Sequence, residues 1–442
     1  MRHLSGHRSG AMRGIARTRF GASLLVLCLL LIAGCRGEET GGDVNGKKTV
    51  RLFILFLSTQ QNDFYRWAEQ TFEARNPGTD IIIEQFPGSS LKDFEIKLRL
   101  RFASRHDPDL VMANENVIAP LAKLGLMDRA PSYIVERVQT NSLNEMARQA
   151  PYVDGVCYGI ATDAAWQVLF YNKDHFREVG LDPERPPQTW DELIQYADKL
   201  TVRDRAGNVI RAGFSLRKTG FKPGTAEKWY TFLLSAGGRP YDEAGTRAMF
   251  NSEEGRRALD LYRTILDRKI DAVTHEGDQP GFGQGTVSMF YREVHVIRWL
   301  RETHPEMDFG VAPLPRGPLS ISSGGAYTMS VSKRSKHRDV AWRFIEFLTS
   351  DEAYSRYVGI GGVLPMIKSV AESPVVQQDT LLQVFLKQPV ASVGHFPHVQ
   401  RAAEVTGAYF ERFIYGLMTR DEFLAKAERD VNAILAANKT DE

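Results

Sequence analysis

Between residues 49 and 114 the chain alternates strand-like and helix-like hydrophobic patterns, and this alternation constrains the fold more than any other feature. "TVRLFILFL" (49–57) is a near-continuous apolar run of strand length, as expected of a strand buried on both faces. Phe64, Trp67, Ala68, Thr71 and Phe72 then recur at helical spacing and form one apolar stripe. "NPGTDIIIEQF" turns the chain and supplies a second strand. A helix follows around Leu91 to Phe102, and "DPDLVMAN" supplies a third strand with a polar end. A β-α-β-α-β order predicts a mostly parallel sheet with helices packed on it, so the chain reads as an α/β protein.

The middle is more helical. "TWDELIQYADKL" begins with Thr189 and has Glu192 three residues on, the spacing of a capping box. "NSEEGRRALDLYRTIL" places Ala258, Tyr262, Ile265 and Leu266 on one face. "DFGVAPLP" and "GGAYTMSVS" return to strand, and two amphipathic helices follow, through Val340, Phe344, Phe347 and Leu348 and through Phe423, Ala427, Val431 and Ile434. No segment repeats. Nothing after Cys35 approaches the roughly 20 apolar residues that a membrane-spanning helix needs.

The N-terminus has a different logic. Arg2, Arg8, Arg13, Arg17 and Arg19 precede an apolar run from Leu24 to Ala33, with no Asp or Glu before Glu38. That layout is a secretory signal peptide. The run ends in Ile32-Ala33-Gly34-Cys35, which resembles a bacterial lipobox and implies cleavage before Cys35 and acylation of that residue. A membrane anchor with an incidental cysteine, such as Cys28, is the alternative. Residues 1–34 are thus expected to be a lipoprotein signal peptide, and 35–48 a lipidated cysteine with a flexible tether. Formal net charge is +2, but the leader carries five arginines, so the mature chain is slightly acidic. No basic stripe remains to neutralise phosphates, which argues against a nucleic-acid partner. Of three cysteines only Cys157 lies in the mature body, so neither a disulfide nor a cysteine-based zinc site can be built there.

Motifs of catalysis are missing. There is no G-x-S-x-G elbow, P-loop or H-E-x-x-H. "GFGQG" (281–285) lacks a dinucleotide-binding context and reads as a tight turn. His395 and His398 are separated by Phe396-Pro397, which breaks the helix that would aim both at one metal. Sequence alone cannot set two carboxylates at glycosidase spacing, which exists only in the fold. No enzyme, cofactor or metal is therefore expected. Polar residues at strand ends point instead to ligand capture, because ligands of open α/β sheets bind outside the carboxyl ends of strands. "STQQND" (58–63) and "NEN" (114–116) sit there, making Thr59, Gln60, Asn114 and Glu115 candidate contacts. Such residues also cap helices, and the two roles are compatible.

From Pro151 the chain reads "PYVDGVCYGIATDAAWQVLFYNKDHFREVGLDPERPPQTWDEL", followed in order by "SAGGRPYD", "FNSEEGRRAL", "GFGQGTVSMF", "DFGVAPLP", "SVSKRSKHRDVAWRFIEFLTSDE" and "GGVLP". This ordered set resembles the family 1 extracellular solute-binding proteins of ABC importers, of the maltose and multiple-sugar type, across essentially the whole mature chain. The resemblance implies a two-lobed periplasmic-binding-protein-like fold (type II), with a ligand cleft between lobes joined by a multi-strand hinge. Carried over, the crossings fall near Ala161-Thr162, around Leu319 to Ser323 and near Lys368. The first lobe is then 49–161 plus 323–368, and the second 162–322 plus 369–442.

The same resemblance implies aromatic ligand contacts at Trp229 and Tyr230, and Asp163 and Trp166 beside the hinge crossing and Tyr327 behind Gly324-Gly325 are further candidates. Trp67, Trp190 and Trp342 belong to helix stripes or starts and are expected in the core. One departure stands out: where the family commonly has a glycine and then a sugar-stacking tryptophan, this chain has Glu293 and His295. Stacking then passes to Tyr291 or Trp299, or the ligand is more polar than an oligosaccharide. The implied role is a receptor, a monomer held at the membrane by its lipid. It would take a small molecule, a mono- or oligosaccharide, and pass it to the transmembrane subunits of an ABC permease. A polar solute such as a glycerol phosphate, a sensor role, or a secreted glycan-active enzyme are the alternatives.

Overall fold

The computed structural model describes residues 46–55, 58–87, 91–218, 222–394, 396 and 398–436. The signal segment, Cys35 and most of the tether lie outside the described residues, as does His395. Strands β1 (Lys48–Ile54), β2 (Thr79–Gln85) and β3 (Leu110–Asn114) alternate with helices α1 (Thr59–Arg75) and α2 (Leu91–Ala103), and α3 (Glu115–Lys123) follows β3 directly. β1 lies between β2 and β3 and pairs with both in parallel, as the alternation predicts. Farther on, β4 (Gly159–Trp166) and β5 (Val168–Asn172) are separated by Gln167 alone. Helices α4 (Lys222–Ser235) and α5 (Glu253–Asp267) precede β6 (Met289–Arg292), α6 (His295–Thr303), β7 (Phe309–Ala312) and β8 (Ser322–Val331). The last large elements are α7 (Arg338–Leu348), α8 (Asp351–Gly359), β9 (Val390–Ser392), α9 (Val399–Ile414) and α10 (Arg420–Ala436).

The main sheet has the order β9-β8-β3-β1-β2, with β4 running antiparallel along β8. β8 divides its pairing: Ser322–Gly324 pair with β9, and Tyr327–Val331 pair with β3. The second sheet is smaller, β6-β5-β7, and wholly antiparallel. Every residue of β5 is buried, and its side chains alternate in destination. Val168 and Phe170 join the core beneath the main sheet, while Leu169 and Tyr171 join a second core built around α4, α5, α9 and α10. A strand between two cores loses the polar-apolar alternation of a half-exposed one, hence "VLFYN".

One crossing differs from the position that the resemblance implies. β4 stays in the main sheet through Trp166, which still pairs with Gly324, so the chain passes to the second sheet at Gln167 and not at Ala161-Thr162. After Lys368 the chain packs on the second sheet, where the Phe385 ring lies 6.1 Å from that of Phe170 on β5 and Gln388 Oε1 accepts from the amide of Leu314 at 2.9 Å. Among the described residues no helix is long and apolar enough to cross a membrane.

Candidate ligand-binding cleft

The polar residues after β1 and β3 first serve the backbone. Ser58 Oγ accepts from the amide of Gln61 at 3.2 Å while Gln61 accepts from the amide of Ser58 at 3.0 Å, a complete capping box for α1. Asn114 Oδ1 accepts from the amide of Val117 at 3.2 Å and caps α3. These bonds satisfy helix-terminal donors. They also orient the next residues. Glu115 is buried, and its Oε2 accepts from the amide of Ala326 on β8 at 2.9 Å. A Cβ on Gly325 would lie 3.1 Å from Glu115 Oε1, so glycine leaves space for that carboxylate.

Two cavities lie between the first lobe and the helices of the second. The inner one, about 140 Å³, is floored by Ala165 of β4 and by Gly324, Gly325 and Tyr327 of β8. Asn114, Glu115 and Asn116 form one wall, and Glu227 and Tyr230 of α4 the other. The outer one, about 340 Å³, opens between Glu95 and Arg99 of α2 and Gln400, Arg401 and Glu404 of α9. Asn116, Val399 and Gln400 border both, so the two form one groove running from the surface to the hinge strands.

Carboxylates dominate the electrostatics at the inner end. Burial pushes the Glu115 and Asp163 carboxyls up to about 7 against the hydrogen bonds they accept. Glu227 is also raised by burial, opposed by Lys228. Burial raises the Tyr327 phenol too, and the charges of Asp163, Glu227, Glu115 and Glu293 add to it, which places that hydroxyl among four carboxylates. Behind this wall Lys228 pairs with Glu293, and Arg292 lies 3.4 Å from Glu293 and 3.5 Å from Asp278. Burial works against the charge on Glu293, yet Lys228 and Arg292 hold it well below the usual carboxylate range.

The structure gathers some of the candidate residues and not others. Asn114, Glu115, Tyr230 and Tyr327 line the inner cavity. Asp163 sits beside Tyr327, its partner in the β4–β8 ladder, and its Oδ1 accepts from the amides of Ala164 and Leu364 at 2.8 and 3.3 Å. Thr59 is exposed and lines neither cavity, and Gln60 reaches across to Glu302 instead. Three aromatics are corrected to core. Trp229 is 0% exposed, with the rings of Phe250, Phe410 and Phe423 packed 5.1–6.0 Å from its own. Tyr291 stacks on Phe214 at 5.7 Å and bonds the Tyr262 hydroxyl at 2.6 Å. Trp166 is buried and donates to the carbonyl of Phe385 at 3.0 Å. Trp299 packs edge-on to His304 at 5.0 Å, close over Gly283, and lines neither cavity. As expected Trp342 is core, and Trp67 and Trp190 pack against the two cores.

Glu227, Asn116 and Gln400 were not among the candidates. For Glu227 a signal existed: it stands three residues before Tyr230, so both share a helix face that Trp229 does not.

A two-lobed body with a groove between lobes and three strands at the junction defines a binding protein of the periplasmic type. The family description "Bacterial extracellular solute-binding protein" matches residues 58–355, and the chain belongs to that family. It is 24% identical over 395 residues, 87% of this chain and 93% of the other, to a Brucella abortus (strain 2308) chain named as a binding protein. The sn-glycerol-3-phosphate-binding periplasmic protein of Escherichia coli (strain K12) is 25% identical over 213 residues, 46% of this chain and 47% of that one. Among solved structures, the cyclic alpha-maltosyl-1,6-maltose binding protein from Arthrobacter globiformis superposes with a TM-score of 0.76 at 22% identity, covering 89% of this chain and all of that one.

Proposed function

We propose that the chain is the extracytoplasmic receptor of an ABC importer, which captures a carbohydrate in the groove by closure of its lobes and delivers it to the permease. The observation that carries this reading is the inner cavity: Glu115, Asn114 and Asn116 face Glu227 and Tyr230 across it, so both lobes contribute polar groups to one small space. Carboxylates and amides suit the many hydroxyl donors of a sugar, and Tyr230 and Tyr327 supply aromatic surface for its CH faces. Contacts then come from Asn114, Glu115, Glu227, Tyr230 and Tyr327, with Asn116 and Gln400 at the neck of the groove.

The resemblance to the glycerol-phosphate-binding protein favours a second reading, a small phosphate ester. An acceptor-rich inner wall suits phosphate oxygens less well than hydroxyls. In both readings Cys35 carries the lipid, residues 35–48 the tether, and the receptor works without catalysis. A soluble receptor tethered beside its permease gains effective concentration there.

A thermal-shift screen of mono- and oligosaccharides, with glycerol 3-phosphate included, tests the proposal. A ligand that binds only the folded state stabilises by about 2.7 kcal/mol at a hundredfold excess over Kd. A shift with sugars and no turnover is the expected result. Turnover of a glycan, or a shift with glycerol 3-phosphate alone, would overturn the carbohydrate-receptor reading.

A further inference from the structure

Gln167 occupies a place that no other described residue shares. Trp166 before it is the last residue of β4 paired with β8, at Gly324, and Val168 after it is already paired with Arg292 of the second sheet. Gln167 alone stands between the two ladders, so any rotation of one sheet against the other at this crossing passes through its backbone angles.

Its side chain is nonetheless fully buried and fully committed. Oε1 accepts from Thr231 Oγ1 of α4 at 2.5 Å and lies 3.3 and 3.5 Å from the hydroxyls of Ser322 and Ser323, the first residues of β8. Nε2 donates towards Glu293 Oε1 at 3.4 Å, and the backbone amide donates to Ser322 Oγ at 2.9 Å. Thr231 and Ser323 close the cluster with a 2.7 Å contact, and Ser323 Oγ donates to the carbonyl of Glu227 at 3.0 Å. One side chain thus ties the first crossing (β4 to β5), the second crossing (the start of β8) and the helix that carries Glu227 and Tyr230 into the inner cavity.

We propose that Gln167 is a positioning residue for lobe closure: its side chain clamps the two hinge crossings to α4 and so sets the angle between the lobes, without touching the ligand. This rests on the two-lobed receptor reading. With the clamp intact, the empty protein occupies a narrow range of partly open lobe angles from which ligand can close the groove. Without it the pivot is free, the binding-competent fraction falls, and apparent affinity falls by that fraction.

The test begins without ligand, so that its outcome does not depend on the carbohydrate assignment. Small-angle X-ray scattering of the full mature chain is compared for wild type, Gln167→Leu and Thr231→Val, with thermal unfolding to confirm folding. Gln167→Leu nearly keeps the volume but removes every side-chain polar contact, and Thr231→Val, should the first variant not fold, removes the Thr231 hydroxyl that donates to Oε1 and contacts Ser323. We expect a larger radius of gyration for the empty variants than for empty wild type. We also expect faster hydrogen exchange at Val168 and Ser323, and an affinity for maltose or maltotriose weaker by about threefold to tenfold. A radius and an exchange pattern equal to wild type, in variants that fold, overturn the clamp whatever the ligand proves to be. Normal scattering in a destabilised variant likewise assigns Gln167 a purely structural role. Failure of wild type to bind any sugar, with the variants' radius still enlarged, overturns the carbohydrate reading and leaves the clamp standing.

Discussion

The side-chain amide of Gln60 donates to Oε1 of Glu302 at 2.9 Å, and the two residues belong to different lobes: Gln60 to the first turn of α1, Glu302 to the end of α6. Arg298, one turn earlier on α6, donates to the carbonyl of Gly361 at 3.1 Å in the same junction. A hydrogen bond between such groups contributes on the order of 1 kcal/mol, enough to bias closure and too little to lock it. Closing an empty polar groove desolvates groups that gain no partner, and a ligand supplies those partners only in the closed form. The radius of gyration is expected to fall when ligand is added. Glu302→Ala should speed ligand dissociation by roughly two- to tenfold in stopped-flow fluorescence. An unchanged radius at saturating ligand would mean a preformed cleft.

Trp229 and Tyr230, neighbours in sequence, are expected to separate on mutation. Trp229→Ala removes a fully buried ring from the second core and should cost about 3–5 kcal/mol of stability, with affinity per folded molecule retained. Tyr230, on the cavity wall, should lose affinity when replaced by alanine as well as stability. Denaturant unfolding beside calorimetry distinguishes them. A Trp229→Ala protein that folds normally but binds tenfold more weakly contradicts the core assignment.

Stability should depend on pH through Glu115 and Asp163. Both carboxyls are raised to about 7 by burial, from ordinary values near 4, so the folded state holds more protons than the unfolded one between those limits. Stability from these groups is fully present below about pH 4 and is lost as pH rises through about 7. His175 and His295, both depressed to about 4 by burial, act in the opposite sense up to about pH 6.5. The difference between wild type and Glu115→Gln isolates the acid. The wild type should lose melting temperature relative to the variant as pH goes from 5 to 8. Parallel curves would show that Glu115 is ionised throughout.

Cys35→Ala should leave folding and ligand affinity intact and move the protein from the membrane fraction to the soluble one. The described body, which begins at residue 46, does not include that cysteine. Membrane association that survives the substitution would rule out the lipid anchor.

What was legible from the chain is what its local chemistry determines. β1, β2, β3 and the helices between them follow from apolar runs and helical stripes. Thr189, whose hydroxyl accepts from the amide of Glu192 at 3.2 Å, and Asn172, which caps the helix of "YNKD", show that helix starts are encoded by single side chains. Asn114 and Glu115 could be placed in the site because a strand end and a helix start coincide there.

The rest depended on neighbours far away in sequence. In α4 most residues are buried whichever way they point, Trp229 into the second core and Tyr230 onto the cavity, so burial by itself does not tell wall from core. Glu115 owes its orientation to the Ala326 amide and to the missing side chain of Gly325, both more than 200 residues away. The crossing at Gln167 exists because Trp166 still has a ladder partner in one sheet and Val168 already has one in the other. Propensity, period and capping act over a few residues, so the sequence by itself determined the elements. Which sheet claims a strand end, and which face of a helix meets a cavity, is decided by the partners that tertiary packing brings within hydrogen-bonding and van der Waals distance.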